Sequence, residues 1–203
     1  MDNHFYNGIL ANQKRNNIIK EIFRKSIHLC SALVPLFLKI QYWFTISLLF
    51  LALIIYIISE ILRRKGKTIP IISKITETAA RKRDENKFVL GPVTLVSGIL
   101  LASLILPLDC ATIGIYALSF GDGLASLIGK LIGRVVIPGT NGKTVAGSLT
   151  CFFAVFISAF LFCHNCLISL ILGTFAMFIE VLPLKDFDNL VIPIFIGSIY
   201  FLL

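Results

Sequence analysis

Apolar residues in this chain come in long unbroken runs separated by short polar or basic segments. They do not alternate with period two, and few segments carry a helical stripe of period 3.6. Tyr42–Leu62, Phe88–Pro107, Val145–Cys163 and Leu167–Leu182 each reach or approach the roughly 20 apolar residues a helix needs to cross a bilayer. Leu190–Leu203 is shorter, and Ile27–Ile40 is short enough that it must borrow the preceding turn. Cys110–Ile132 is long enough but carries Gly121-Asp122-Gly123 within it. The pattern predicts an all-α, polytopic membrane bundle of about seven spans, the last three joined by very short loops. It reads as a single membrane-embedded domain over 1–203, with an N-terminal segment over 1–26 and a loop over 63–87. No small-residue cleavage site follows the first apolar run, so a cleavable signal peptide is not expected. Internal repeats and low-complexity tracts are absent from the 203 residues.

Composition agrees. Hydrophobic residues make up 57% and charged residues 15% of the chain, and the mean hydropathy is +0.89. These values exclude a soluble globular enzyme, a disordered tail and a secreted disulfide scaffold. The net charge of +8 must lie outside the lipid, and its distribution gives the orientation. With seven spans, 18 of the 19 basic residues fall on one side and only Lys39 on the other. Positive charge marks the cytoplasmic side. The N-terminus is therefore expected inside, in an integral protein of a bacterial cytoplasmic membrane. No nucleic-acid partner is expected, and the oligomeric state is open.

Ionisable residues at membrane depth cost several kcal/mol unless paired or hydrated, so each is a functional candidate. Glu21, Arg24, Lys25 and His28 are spaced i, i+3, i+4, i+7, which puts them on one helix face. An interfacial anchor with snorkelling cations explains Arg24 and Lys25 but not His28, which lies a turn deeper. Asp122 sits in Ser119-Phe-Gly-Asp-Gly-Leu-Ala-Ser126, where flanking glycines predict a loosened helix lining a polar cavity. Its carboxylate suits a hard cation such as Mg²⁺; the alternative is a helix cap. Glu180 and the Asp188-Asn189 pair lie on the same side as Asp122 and are expected to converge with it, though Asp188 also reads as an N-cap.

Pro138-Gly-Thr-Asn-Gly-Lys-Thr-Val-Ala-Gly-Ser148 places Lys143 and Thr144 at a helix start, where backbone N–H groups favour an anion. The strict phosphate-loop pattern fails because Ile137 stands where its first glycine belongs, and a membrane helix follows instead of an α/β unit. The phosphate-binding chemistry is kept and the fold rejected. Within Arg81–Lys87, Asp84 and Glu85 read as solvated acids in a basic run, with a metal role as the lesser alternative. Cys163-His-Asn-Cys166 has CxxC spacing but too few ligands for zinc.

Carboxylates for Mg²⁺, cations for phosphates and surrounding lipid suit phosphoryl or nucleotidyl transfer onto a membrane lipid. On Arg24-Lys-x-x-His28, Ser59-Glu-x-x-Arg63, Gly121-Asp-Gly-Leu-Ala-Ser-x-x-Gly129, Lys143-Thr-x-x-Gly-Ser148 and Glu180…Asp188-Asn189, the chain resembles the dolichol kinase, phytol kinase and CTP-dependent diacylglycerol kinase family. That resemblance runs in order from about Arg24 onward. It implies phosphorylation of a lipid alcohol, with CTP as donor, and kinship with phosphatidate cytidylyltransferases.

The expected site follows. Asp122 binds Mg²⁺ with Glu180 or Asp188. Arg24, Lys25, Lys143 and Thr144 meet the nucleotide phosphates, and Gly121, Gly123 and Gly147 allow close backbone approach. His28 or a carboxylate accepts the hydroxyl proton, and Asn189 accompanies Asp188. The alternatives are CDP-diacylglycerol synthesis, which needs the same groups, and a non-enzymatic transporter or scaffold. A transport path would present polar groups to both faces, whereas only Asp109 and Lys39 are charged on the far side.

Overall fold

The computed structural model describes residues 2–67, 69–80 and 87–203, and within them the chain is helical. In order, the helices are α1 (Asp2–Cys30), α2 (Val34–Ile40), α3 (Tyr42–Arg64), α4 (Pro70–Ala79), α5 (Gly91–Ile105), α6 (Leu108–Tyr116), α7 (Gly123–Ile132), α8 (Val145–Cys163), α9 (Cys166–Val181) and α10 (Asp188–Leu202). Among the described residues there is no strand, only an isolated antiparallel bridge between Val136 and Thr144.

Three helical stretches among these residues are long and apolar enough to cross a membrane: Tyr42–Arg64, Leu108–Ile132 and Val145–Cys163. Gly91–Ile105, Cys166–Val181 and Asp188–Leu202 are apolar but shorter. The first expected span, Ile27–Ile40, is not one regular helix. It comprises the last turn of α1, a 3₁₀ turn over Ser31–Leu33, and α2, which Pro35 opens. Proline lacks the N–H an α-helix interior needs, so the chain restarts there.

Leu108–Ile132 is the central element: 67% of its most apolar stretch is buried, against 22% and 28% for the other two long helices. The loosening expected around Asp122 takes the form of a π-helical stretch and not of a chain break. α6 runs into α7 through a π-helical segment, Ala117–Asp122. Such a segment keeps the helix continuous while changing the direction in which its side chains project. Ser31 fixes it from outside, with its hydroxyl 2.6 Å from that of Ser119. α10 packs on this centre and on α5 at backbone distance. A Cβ on Gly114 would stand 2.0 Å from the Pro193 carbonyl oxygen, and one on Gly98 2.2 Å from that of Asn189. Large apolar side chains such as Trp43, Phe44, Phe153 and Leu161 lie exposed on the outside, the arrangement lipid rather than water stabilises.

The segment 63–87 is not simply a loop. Pro70 at the start of α4 and the buried faces of Ser73 and Thr76 mark a short helix, which packs against α1 and α3. Beside it, Glu60 accepts from Arg63 through both oxygens (Nε at 2.8 Å, Nη2 at 2.6 Å) and from the Val89 backbone N–H at 2.8 Å. This clamp ties the end of α3 to the start of the next element. Asp84 and Glu85 lie outside the described residues.

Candidate functional site

Where the N-terminus of α8, the C-terminus of α9 and the N-terminus of α10 meet α1 and α7, the bundle holds a cavity of about 260 Å³. Asp122, Glu180 and Asp188 supply its carboxylates, and Arg24, Lys143 and Lys185 are among its cations. The convergence expected of the three acids is present in that they line one space. They do not form a ready-made ligand cluster: among the described residues, no three His, Cys, Asp or Glu side chains come together to hold a metal.

The α1 stripe lies on one face as its spacing requires. Glu21 is buried and accepts from Arg24 and Lys130, and from the Ser126 hydroxyl at 2.7 Å. Burial alone would raise the Glu21 carboxyl, but the Arg24 and Lys130 cations together hold it at about 2, against an ordinary 4.5. Glu21 thereby anchors two cations at the cavity. Ser126 and Lys130 follow Asp122 at i+4 and i+8, the helical spacing through which the sequence could have shown this cluster.

One turn deeper, Lys25 donates to Asp122 Oδ2, and His28 Nδ1 lies 3.1 Å from the same oxygen. Lys25, His28 and Asp122 are all at least 96% buried. Lys25, expected on the phosphates, is thus paired with the carboxylate and lines the smaller neighbouring cavity rather than the larger one. Asp122 makes no capping hydrogen bond to the start of α7, so the helix-cap alternative fails. A buried charge with a single close partner is costly to leave alone, and breaking such a pair from one side loses about 3–5 kcal/mol.

Lys143 precedes α8 at the end of a tight turn in which Gly139 and Gly142 take φ of 75° and 82°. Only glycine adopts these angles freely. The Ile137 N–H closes the turn by donating to the Lys143 carbonyl at 2.9 Å. Lys143 Nζ donates to the Glu180 carbonyl. It also lies 3.3 Å from Glu180 Oε1 and 3.9 Å from Asp188 Oδ2. The other carboxylate oxygen of Glu180, Oε2, is buried without a hydrogen-bond partner. A buried acceptor left unmatched is expensive and suits a cation or a donor brought by a ligand. Asp188 is the first residue of α10 and not its cap; Phe187 holds that position, and Asp188 Oδ1 accepts from the Asn189 N–H at 2.9 Å.

Several of the residues expected at the phosphates have structural duties as well, Thr144 and Gly147 while lining the cavity. Thr144 Oγ1 caps α8 by accepting from the Gly147 N–H at 3.2 Å. Gly147 lines the cavity, yet a Cβ there would come within 2.9 Å of the Ala125 carbonyl, so it also lets α7 and α8 approach. Gly121 faces Val155 and Cys151, and Gly123 faces Leu29; neither lines the cavity. Asn189 Nδ2 donates to Thr94 Oγ1 at 3.1 Å and joins α10 to α5. The Cys163–Cys166 stretch is a turn in which His164 is left-handed and Asn165 caps α9. All five cysteines are free.

The chain is similar to an uncharacterized protein of Methanocaldococcus jannaschii. The two are 28% identical over 192 residues, covering 89% of this chain and 93% of the relative. No family profile matches the chain, and no solved structure does.

Proposed function

We propose that this chain is a membrane-embedded, CTP-dependent kinase of a lipid alcohol, with seven spans and its N-terminus in the cytoplasm. The observation that carries the reading is a cavity within an otherwise apolar bundle that presents three carboxylates and several cations to one space. A transporter would need polar groups toward both faces. A triphosphate and a hard cation need both signs of charge in one place. The preference for CTP rests on the family resemblance.

In this reading Asp122, Glu180 and Asp188 would hold Mg²⁺, which would neutralise charge on the triphosphate oxygens. Few protein oxygens suffice, because Mg²⁺ keeps waters and takes phosphate ligands, and the unmatched Glu180 Oε2 fits that role. Arg24, Lys143 and Lys185 bind the phosphates. Lys143 now rests on Glu180 and Asp188, and would exchange them for phosphate oxygens when nucleotide enters. The alcohol oxygen forms a bond to the γ-phosphorus, the bond to the bridging oxygen breaks, and CDP leaves with that electron pair. The hydroxyl proton passes to His28 or to a cavity carboxylate.

CTP labelled at either the γ- or the α-phosphate tests this in reconstituted vesicles, with phytol, farnesol, longer polyprenols, diacylglycerol and phosphatidate as acceptors. The expected result is lipid label from γ-labelled CTP with an alcohol and none from α-labelled CTP. Label from α-labelled CTP with phosphatidate would establish the cytidylyltransferase instead, and transport without nucleotide turnover would overturn both.

A further inference from the structure

Arg24 from α1, with Ser126 and Lys130 from α7, lines the larger cavity. All three meet on one carboxylate. Glu21, only 3% exposed, takes the Arg24 guanidinium and the Ser126 hydroxyl on Oε1 and the Lys130 ammonium on Oε2. Arg24 is three residues from Glu21, but Ser126 and Lys130 are 105 and 109 residues away. The cluster therefore exists only where α1 packs on α7. The other cavity lysines come from elsewhere, Lys143 from the turn before α8 and Lys185 from the loop before α10.

Neutralising a buried carboxylate takes one cation, and Arg24 supplies it from the next turn of the same helix. Lys130 exceeds that need, so one carboxylate against two cations leaves the group with a net positive charge at the cavity. A guanidinium carries five N–H donors and an ammonium three, so each has the capacity to hold Glu21 and a phosphate oxygen together. Long cationic side chains lose much rotamer freedom when a ligand orders them. A buried carboxylate that orders them in advance takes that loss out of the binding step.

We infer that Glu21 is a positioning residue, holding Arg24 and Lys130 in place as a pair of contacts for the nucleotide's polyphosphate. This rests on the kinase reading of the larger cavity, and adds Lys130 to its phosphate contacts. Glu21 itself touches no reacting atom and acts through the two cations.

The test titrates the whole protein in detergent, with Mg²⁺ present, with CTP and with inorganic tripolyphosphate; kcat and KM come from γ-label transfer. Lys130→Met should weaken both ligands about tenfold, the scale of one lost charged contact. Lys130→Arg should recover most of that affinity, because it keeps the charge and the donors. Glu21→Gln removes a negative charge from the cavity wall, so CTP should bind as tightly as before or more tightly. Its kcat should nonetheless fall by about 10–10²-fold, because the cations remain but are no longer held in position.

Tripolyphosphate binding indifferent to Lys130 would overturn the inference even if γ-label reaches an alcohol. So would a Glu21→Gln protein whose affinity, kcat and unfolding temperature fall together, which marks Glu21 as a structural staple. Tripolyphosphate binding that depends on Lys130, without phosphoryl transfer to any alcohol, would support the phosphate contact and overturn the kinase reading.

Discussion

Asp122→Asn is expected to lose both stability and activity, and Lys25→Met/Asp122→Asn is expected to recover the first without the second. Asp122 is the buried partner of Lys25 and faces His28. Neutralising it alone strands an ammonium in the bundle, at a cost of about 3–5 kcal/mol. That is a large fraction of the stability of an ordinary domain, so the single variant should unfold at a clearly lower temperature in detergent. Replacing both charges by groups of similar shape removes the stranded ion, which is often neutral for stability. Phosphoryl transfer should stay at least about 10²-fold down in the double variant, because the carboxylate at the cavity is gone. Thermal unfolding and γ-label transfer, measured on the same three proteins, separate the two effects. A stable, fully active double variant would remove Asp122 from the chemistry.

The second large effect is expected at Lys143. Its ammonium sits between Glu180 and Asp188, where a triphosphate would otherwise meet two like-charged carboxylates. Lys143→Met should lower kcat/KM for CTP by about 10²–10³-fold, the scale for removing a charged group aimed at a reacting phosphate. Lys143→Arg should recover only part of it, since a planar guanidinium is longer and cannot occupy the same narrow position as a point charge. The loss should appear with every alcohol tested, because Lys143 is assigned to the nucleotide, which all of these reactions share. A defect confined to one alcohol would contradict its assignment to the nucleotide.

Local pattern carried much of this picture. Val145–Cys163 is a helix with the bounds its apolar run predicts, and the spacing of Glu21, Arg24, Lys25 and His28 placed them correctly on one face. Asp122 does share one cavity with Glu180 and Asp188, which lie far along the chain from it. What escaped the sequence is what depends on partners far along the chain. Lys25 and Asp122 are 97 residues apart, and nothing local tells an ion-paired lysine from a phosphate-binding one. Glycines beside Asp122 suggested a loosened helix, which the π-helical segment matches, and a close approach of phosphate. Their free faces are instead filled by Val155, Cys151 and Leu29, a matter of helix packing that composition does not encode. The short α4 was masked by the basic residues around it, which read as solvated chain.

The central claim is that the larger cavity is built for a metal-bound triphosphate. CTP binding by the purified protein, measured with and without Mg²⁺, tests it most directly. Lys143, Glu180 and Asp188 already satisfy one another in part, so neither Mg²⁺ nor CTP alone should displace them well. The account predicts saturable CTP binding with Mg²⁺, at least about tenfold weaker without it, and lost in Lys143→Met. Binding that is indifferent to Mg²⁺ and to Lys143, or no CTP binding at all, would contradict it.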